Sequence, residues 1–133
     1  MISLWLYICA LKGNGMNDEL IVPLNRINDS ARDLLTKTRL TFAQERIAQS
    51  IENVAKTMLG MVIGVPDFTW ETATEVLSFE ARSHLASIIG YAEVLLDEDN
   101  NDMPLTEQQN AYINTIRKDG AQLLIRLTKL ENN

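Results

Sequence analysis

Clustered basic residues, cysteine, histidine and proline are all scarce in this chain, and each scarcity closes off a class of function. Twelve lysines and arginines stand against eighteen acidic residues, a net charge of −6. The basic residues are scattered singly or in pairs such as Arg117-Lys118. Neutralising nucleic-acid phosphates takes clustered cations, so no nucleic-acid partner is expected. The single cysteine, Cys9, has no partner for an intrachain disulfide. With the single histidine, His84, it also falls short of a tetrahedral zinc set. No metal and no cofactor is expected. The cysteine usage fits a reducing compartment, and we expect a cytoplasmic location. Three prolines and six glycines in 133 residues leave room for long uninterrupted helices. The length suits one domain better than two. A composition 46% hydrophobic and 23% charged is ordinary for a globular protein.

Long apolar runs are missing too. The longest at the amino terminus is Ile2 to Leu11, short of the roughly 20 residues that a helix needs to span a bilayer. It lacks the basic flank and small-residue cleavage site of a secretory signal. It reads as a tail, as a weak membrane or partner anchor, or as residues translated ahead of a true start at Met16. A membrane partner is not expected. Gly13-Asn14-Gly15 is a flexible break without the remainder of a phosphate-loop motif. Residues 1–23 are therefore assigned as an apolar, then flexible, tail.

The rest of the chain repeats apolar residues at helical spacing. Ile27, Ala31, Leu34 and Leu35, then Ile47, Ile51, Val54, Met58 and Val62, recur at threes and fours. Between the two sets the stretch TKTRLT carries three threonines, which are mediocre helix formers, and the phase of the stripe slips there. We expect residues 24–63 to form one long helix with a weak point or two helices in line, an input or linker-like element. Gly64 and Pro66 stop it, and Asp67 or Thr69 can cap a helix running from about Trp70 to Leu96. Counted at about 100° per residue, its buried face centres on Leu85, with Ala81, Ile88, Ile89, Ala92 and Leu96 close to it and Leu77 and Leu95 at its flanks. Asp97 to Asp102 form a polar loop. As a calcium loop they fail, because Asp102 replaces the required glycine and Gln108 the bidentate glutamate. Thr106 and Gln109 make a capping box for a last helix ending near Glu131. Its seam is Ile113, Ile116, Gly120, Leu123, Leu127 and Leu130.

No alternating, strand-like stretch competes with these helices, so the fold class expected is all-α. The last two helices, within residues 67–133, are joined by a short loop and should lie antiparallel. One hairpin cannot bury both of its seams. A second copy about a two-fold axis would complete a dimeric four-helix bundle, with Leu77, Ala81, Leu85, Ile88, Ile89, Ala92, Leu96, Ile113, Ile116, Leu123, Leu127 and Leu130 as its core.

The hairpin resembles the dimerisation and histidine-phosphotransfer domain of two-component sensor histidine kinases. The likeness covers Thr74 to Leu130. The first helix of that family reads Ser-His-Glu-Leu-Arg-Thr-Pro-Leu, then Ile-Ile-Gly-Tyr-Ala-Glu-Leu-Leu, and SIIGYAEVLL fixes the register here. The second helix is similar to LTEQQNAYINTIRKDGAQLLIRLTKL. The resemblance implies a signal-transduction protein, with a sensor kinase or response regulator as partner. Counting back from the fixed register puts Phe79 at the phosphoacceptor position, with Glu80 and Arg82 matching the family's neighbours. A phenyl ring has no nucleophilic nitrogen, so no phosphoramidate forms there.

His84 falls where the family has proline. It lies five residues beyond Phe79, about 140° around the helix, which makes it a poor substitute acceptor. Phe79 itself lies about 120° from Leu85, off the buried face. An isolated exposed phenylalanine is ordinary, whereas together with Val76 it would be a docking patch. No asparagine box or glycine-rich nucleotide lid is present, so the chain is not expected to phosphorylate itself. The expectation is a non-catalytic dimerisation or regulatory module of a phosphorelay. The alternatives are a histidine phosphotransfer protein using His84, and a histidine kinase fragment working with a separate ATPase domain.

Overall fold

The computed structural model describes residues 15–63, 70–97 and 103–131, with side chains described over 21–61, 80–97 and 103–128. The described residues form four helices and no strand: α1 (Gly15–Lys37), α2 (Phe42–Ile63), α3 (Trp70–Leu96) and α4 (Glu107–Glu131). Each helix packs on the next, and α4 returns to α1, closing a ring of four. The all-α expectation holds, as do the extents expected for α3 and α4. The assignments for Ile2–Leu11, Cys9, the helix stop at 64–69 and the loop at 98–102 lie outside the described residues.

One core fills the ring. α1 contributes Ile21, Leu24, Ile27, Ala31 and Leu34, and α2 contributes Ala48, Ile51, Ala55 and Met58. α3 contributes Ala81, Leu85, Ile88, Ala92 and Leu95, and α4 contributes Ile113, Ile116, Leu123 and Leu127. Each set steps by threes and fours, one stripe per helix. Burying a leucine or isoleucine in full is worth about 1.5–3 kcal/mol, so this stripe supplies most of the driving force. Of the seam expected from sequence, Ile89 and Leu96 are half-buried, and the side chains of Leu77 and Leu130 are not among those described.

Two expectations for the first half are corrected. The helix does not begin at Leu24: α1 starts at Gly15 and carries Pro23 in its interior. Proline forfeits its own N–H bond there, yet buried Ile21 and Leu24 on either side anchor the turn. Nor do the helices of this region run in line. The chain turns at 38–41, and α2 packs back against α1. The turn is made by a capping box. The backbone N–H of Gln44 donates to Thr41 Oγ1 at 3.2 Å, and the N–H of Thr41 donates to Gln44 Oε1 at 2.9 Å. The threonines that looked like a weak point in one helix are the boundary between two. The seam of the α3–α4 hairpin, expected to need a second copy, is covered within this chain by α1 and α2.

Candidate functional site

Position 79, which the resemblance sets at a phosphoacceptor, lies in the first half of α3, which runs unbroken through 79 and 84. The side chain of Phe79 is not among those described. Glu80 is exposed, Arg82 and His84 are half-buried, and Ala81 and Leu85 between them are fully buried. The helix thus turns one face into the core through Ala81 and Leu85, and the positions between them fall on its flanks. A histidine where the resembled family has proline keeps the backbone donor that proline would remove, and α3 continues across it.

On the outer side of the same hairpin, α3 and α4 frame a shallow groove of about 560 Å³ lined by Ile89, Glu93, Asn114, Arg117, Lys118 and Ala121. Arg117 Nη2 donates to Asn114 Oδ1 at 3.3 Å. The floor is tight: a Cβ on Gly120 would sit 3.2 Å from Ile89 Cγ1. Glycine here lets α4 approach α3 at the residue where the buried seam meets the groove. Among the described residues, no group of three or more His, Cys, Asp or Glu could hold a metal ion.

Sequence reasoning passed over two polar contacts between helices: a buried ion pair, and a second role for the capping residue Gln109. Asp119 is nearly fully buried on α4, between the seam residues Ile116 and Leu123. Arg26 on α1 meets it as a fork, with Nε at 2.7 Å from Oδ2 and Nη2 at 2.9 Å from Oδ1. The arginine is 53% exposed and the aspartate 5%. The hydrogen bond to Asp119 and its charge hold the guanidinium above its usual range, against the opposing pull of burial. The second contact is made by Gln109. Its oxygen accepts the N–H of Thr106 at 2.9 Å, and its amide donates to Arg39 O at 2.9 Å and Thr38 Oγ1 at 3.3 Å. The capping box of α4 therefore also ties down the end of α1. The middle of α1 meets the middle of α4, and the end of α1 meets the start of α4, which makes these helices antiparallel. Neither partner is near the other in sequence, so residue spacing gave no signal of them.

No protein-family model matches the chain, and no curated protein or solved structure does either. None of the described helices is long and apolar enough to cross a membrane.

Proposed function

We propose that this protein is a non-catalytic regulatory module of a two-component phosphorelay: a helical bundle with the layout of a histidine-phosphotransfer domain and no imidazole at the acceptor position. The observation that supports this reading most is the register of α3. Ala81, Leu85, Ile88 and Ala92 face the core, and exposed Glu80 stands off it beside position 79. That is the arrangement in which an acceptor at 79 would be offered to a partner, and the residue there is phenylalanine. Without a nitrogen nucleophile no phosphorus–nitrogen bond forms, and Glu80 has no imidazole proton to manage.

Such a module acts by occupancy. It presents a phosphotransfer-like flank to a response regulator or sensor kinase and competes with the real acceptor for it. Because the apolar stripes of all four helices are turned inward, association with any partner, a second copy included, is a property of this outer surface. The test is a reconstituted relay of kinase, phosphodonor domain and receiver, to which the purified chain is added. A fall in receiver phosphorylation that saturates with added chain is expected, together with direct binding to the receiver or the kinase. No binding and no change in flux across a panel of such pairs would contradict the reading.

A further inference from the structure

The two halves of the bundle repeat each other. Displacing the chain by 65 residues lays α2 on α4, so that Thr41 meets Thr106, Gln44 meets Gln109, Ile51 meets Ile116 and Leu59 meets Leu124. The bonds repeat as well. Both Thr/Gln pairs form the same reciprocal capping box. Ser50 and Thr115, which also coincide, each donate from the hydroxyl to the carbonyl four residues back at 3.0 Å. Displacing it by 61 residues lays α1 on α3: Leu24 meets Leu85, Ile27 meets Ile88, Ala31 meets Ala92 and Leu34 meets Leu95, with every member buried. In the second helices Ala48, Ala55 and Met58 fall on Ile113, Gly120 and Leu123, again all buried. The shared caps and the four identical buried residues of α1 and α3 go beyond what two amphipathic hairpins have in common by default.

Each half is thus one copy of a hairpin, and the pair of copies relates α1 to α3 and α2 to α4. The two interfaces between the copies, α1 on α4 and α3 on α2, are equivalent under this relation. They differ at one decisive place. Arg26 and Asp119 bridge the first, and the equivalent positions on the second are Ser87 and Val54. Ser87 bonds back to its own helix at Ser83 O.

We infer that the two halves are diverged copies of one hairpin that pair with each other inside a single chain, and that the Arg26–Asp119 bridge selects this pairing over pairing with the like half of another molecule. If two α3–α4 hairpins met, each Asp119 would face Ser87 of the other, leaving two carboxylates buried without a cation. If two α1–α2 hairpins met, each Arg26 would face Val54. An unpaired buried carboxylate is a strong penalty against the α3–α4 like pair, and the like pair of α1–α2 hairpins loses the bridge without gaining one. The surface that the α3–α4 hairpin presents to its neighbour therefore fits the α1–α2 hairpin of its own chain, and the bundle is closed to hairpin exchange. This inference stands whether or not the protein acts in a phosphorelay.

The test uses the full chain with a protease recognition sequence inserted between Gly64 and Thr69. The folded protein is cut, unfolded, refolded and weighed by native mass spectrometry, which separates the mixed pair of halves from the two like pairs. In the unmodified sequence mixed pairs should outnumber like pairs by about tenfold or more, against the equal numbers that random sorting gives. Arg26→Ser with Asp119→Val makes both interfaces alike and should bring sorting close to random. Val54→Asp with Ser87→Arg does the same by adding a bridge to the second interface, so selectivity should fall while the original pair is retained. Uncut, the unmodified chain should scatter light as a 15.0 kDa particle. Random sorting of the unmodified halves, halves that fail to re-pair, or undiminished selectivity in both double variants would overturn the inference.

Discussion

Arg26 and Asp119, 93 positions apart in sequence, meet through two hydrogen bonds of 2.7 and 2.9 Å across the α1–α4 interface. The two ends of this bridge are not equivalent, because the arginine is half in water and the aspartate is not. Arg26→Ala leaves a carboxylate buried without a partner and should cost about 2–3 kcal/mol. Asp119→Ala leaves a guanidinium that water can reach and should cost about 1 kcal/mol. Urea unfolding of the two variants checks the order. Equal losses, or the reverse order, would show that the bridge is held as a surface pair.

Gln109 does two jobs that one substitution separates. Gln109→Ala removes both the cap and the tie to Arg39 O, and should cost about 1–2 kcal/mol. Gln109→Glu keeps an acceptor for the Thr106 N–H and loses the donor to the α1 end. If the tie matters, the Glu variant should melt lower than the native protein despite its intact cap. A Glu variant as stable as the native protein would assign the whole effect to capping.

Asp29 supplies a pH signature. Burial, then the charge of neighbouring Asp33, raises its carboxyl above the usual range, and Arg32 offsets part of this. The folded state therefore holds this proton more tightly than the unfolded chain. The contribution to stability is present below the unfolded carboxylate range and is lost as pH rises through the folded value. At neutral pH Asp29 is a small liability, so Asp29→Asn should gain a few tenths of a kcal/mol, screened as the group is solvent-exposed. The gain should shrink as pH falls through the raised folded value and be gone below about 4, the unfolded carboxylate range. Thermal melts of both proteins from pH 3 to 7 check this, and a gap that does not change with pH would contradict it.

The repeat also predicts a packing exchange. Gly120 leaves room for Ile89 in the second hairpin, and the equivalent positions in the first hold Ala55 and Asn28. The Oδ1 of Asn28 is buried without a hydrogen-bond partner. Asn28→Ile alone should be overpacked by about 1–3 kcal/mol. Adding Ala55→Gly should relieve that strain, apart from the roughly 1 kcal/mol that glycine costs in a helix. A double variant less stable than the sum of the two single changes would argue against equivalent packing in the two halves.

The second hairpin was legible in the sequence because its punctuation is strong. Pro66 and the Thr106–Gln109 box delimit α3 and α4, and each stripe is regular. The first hairpin was not, although Thr41 and Gln44 carry the same box. The threonines around it were weighed as poor helix formers, when the physical signal was an oxygen free to accept a backbone N–H. The helix was expected from Leu24 on, whereas α1 runs through Pro23 from Gly15, because buried Ile21 and Leu24 outweigh one missing bond. Asp119 lies between seam residues of α4 and drew no reading from the sequence. Its meaning depends on Arg26, and no local pattern announces a partner on another helix.

The proposed function takes α3 as a phosphoacceptor helix whose acceptor is replaced by Phe79, and labelling tests that most directly. The native chain, Phe79→His and His84→Ala are each incubated with ATP and an ATP-binding kinase domain in trans, or with a phosphorylated receiver run in reverse. Acid-labile, base-stable phosphate is then counted on each. No label is expected on the native chain, and label is expected on Phe79→His, which puts an imidazole next in sequence to Glu80. Label on the native chain that disappears in His84→Ala would contradict the proposed function and make His84 a working acceptor.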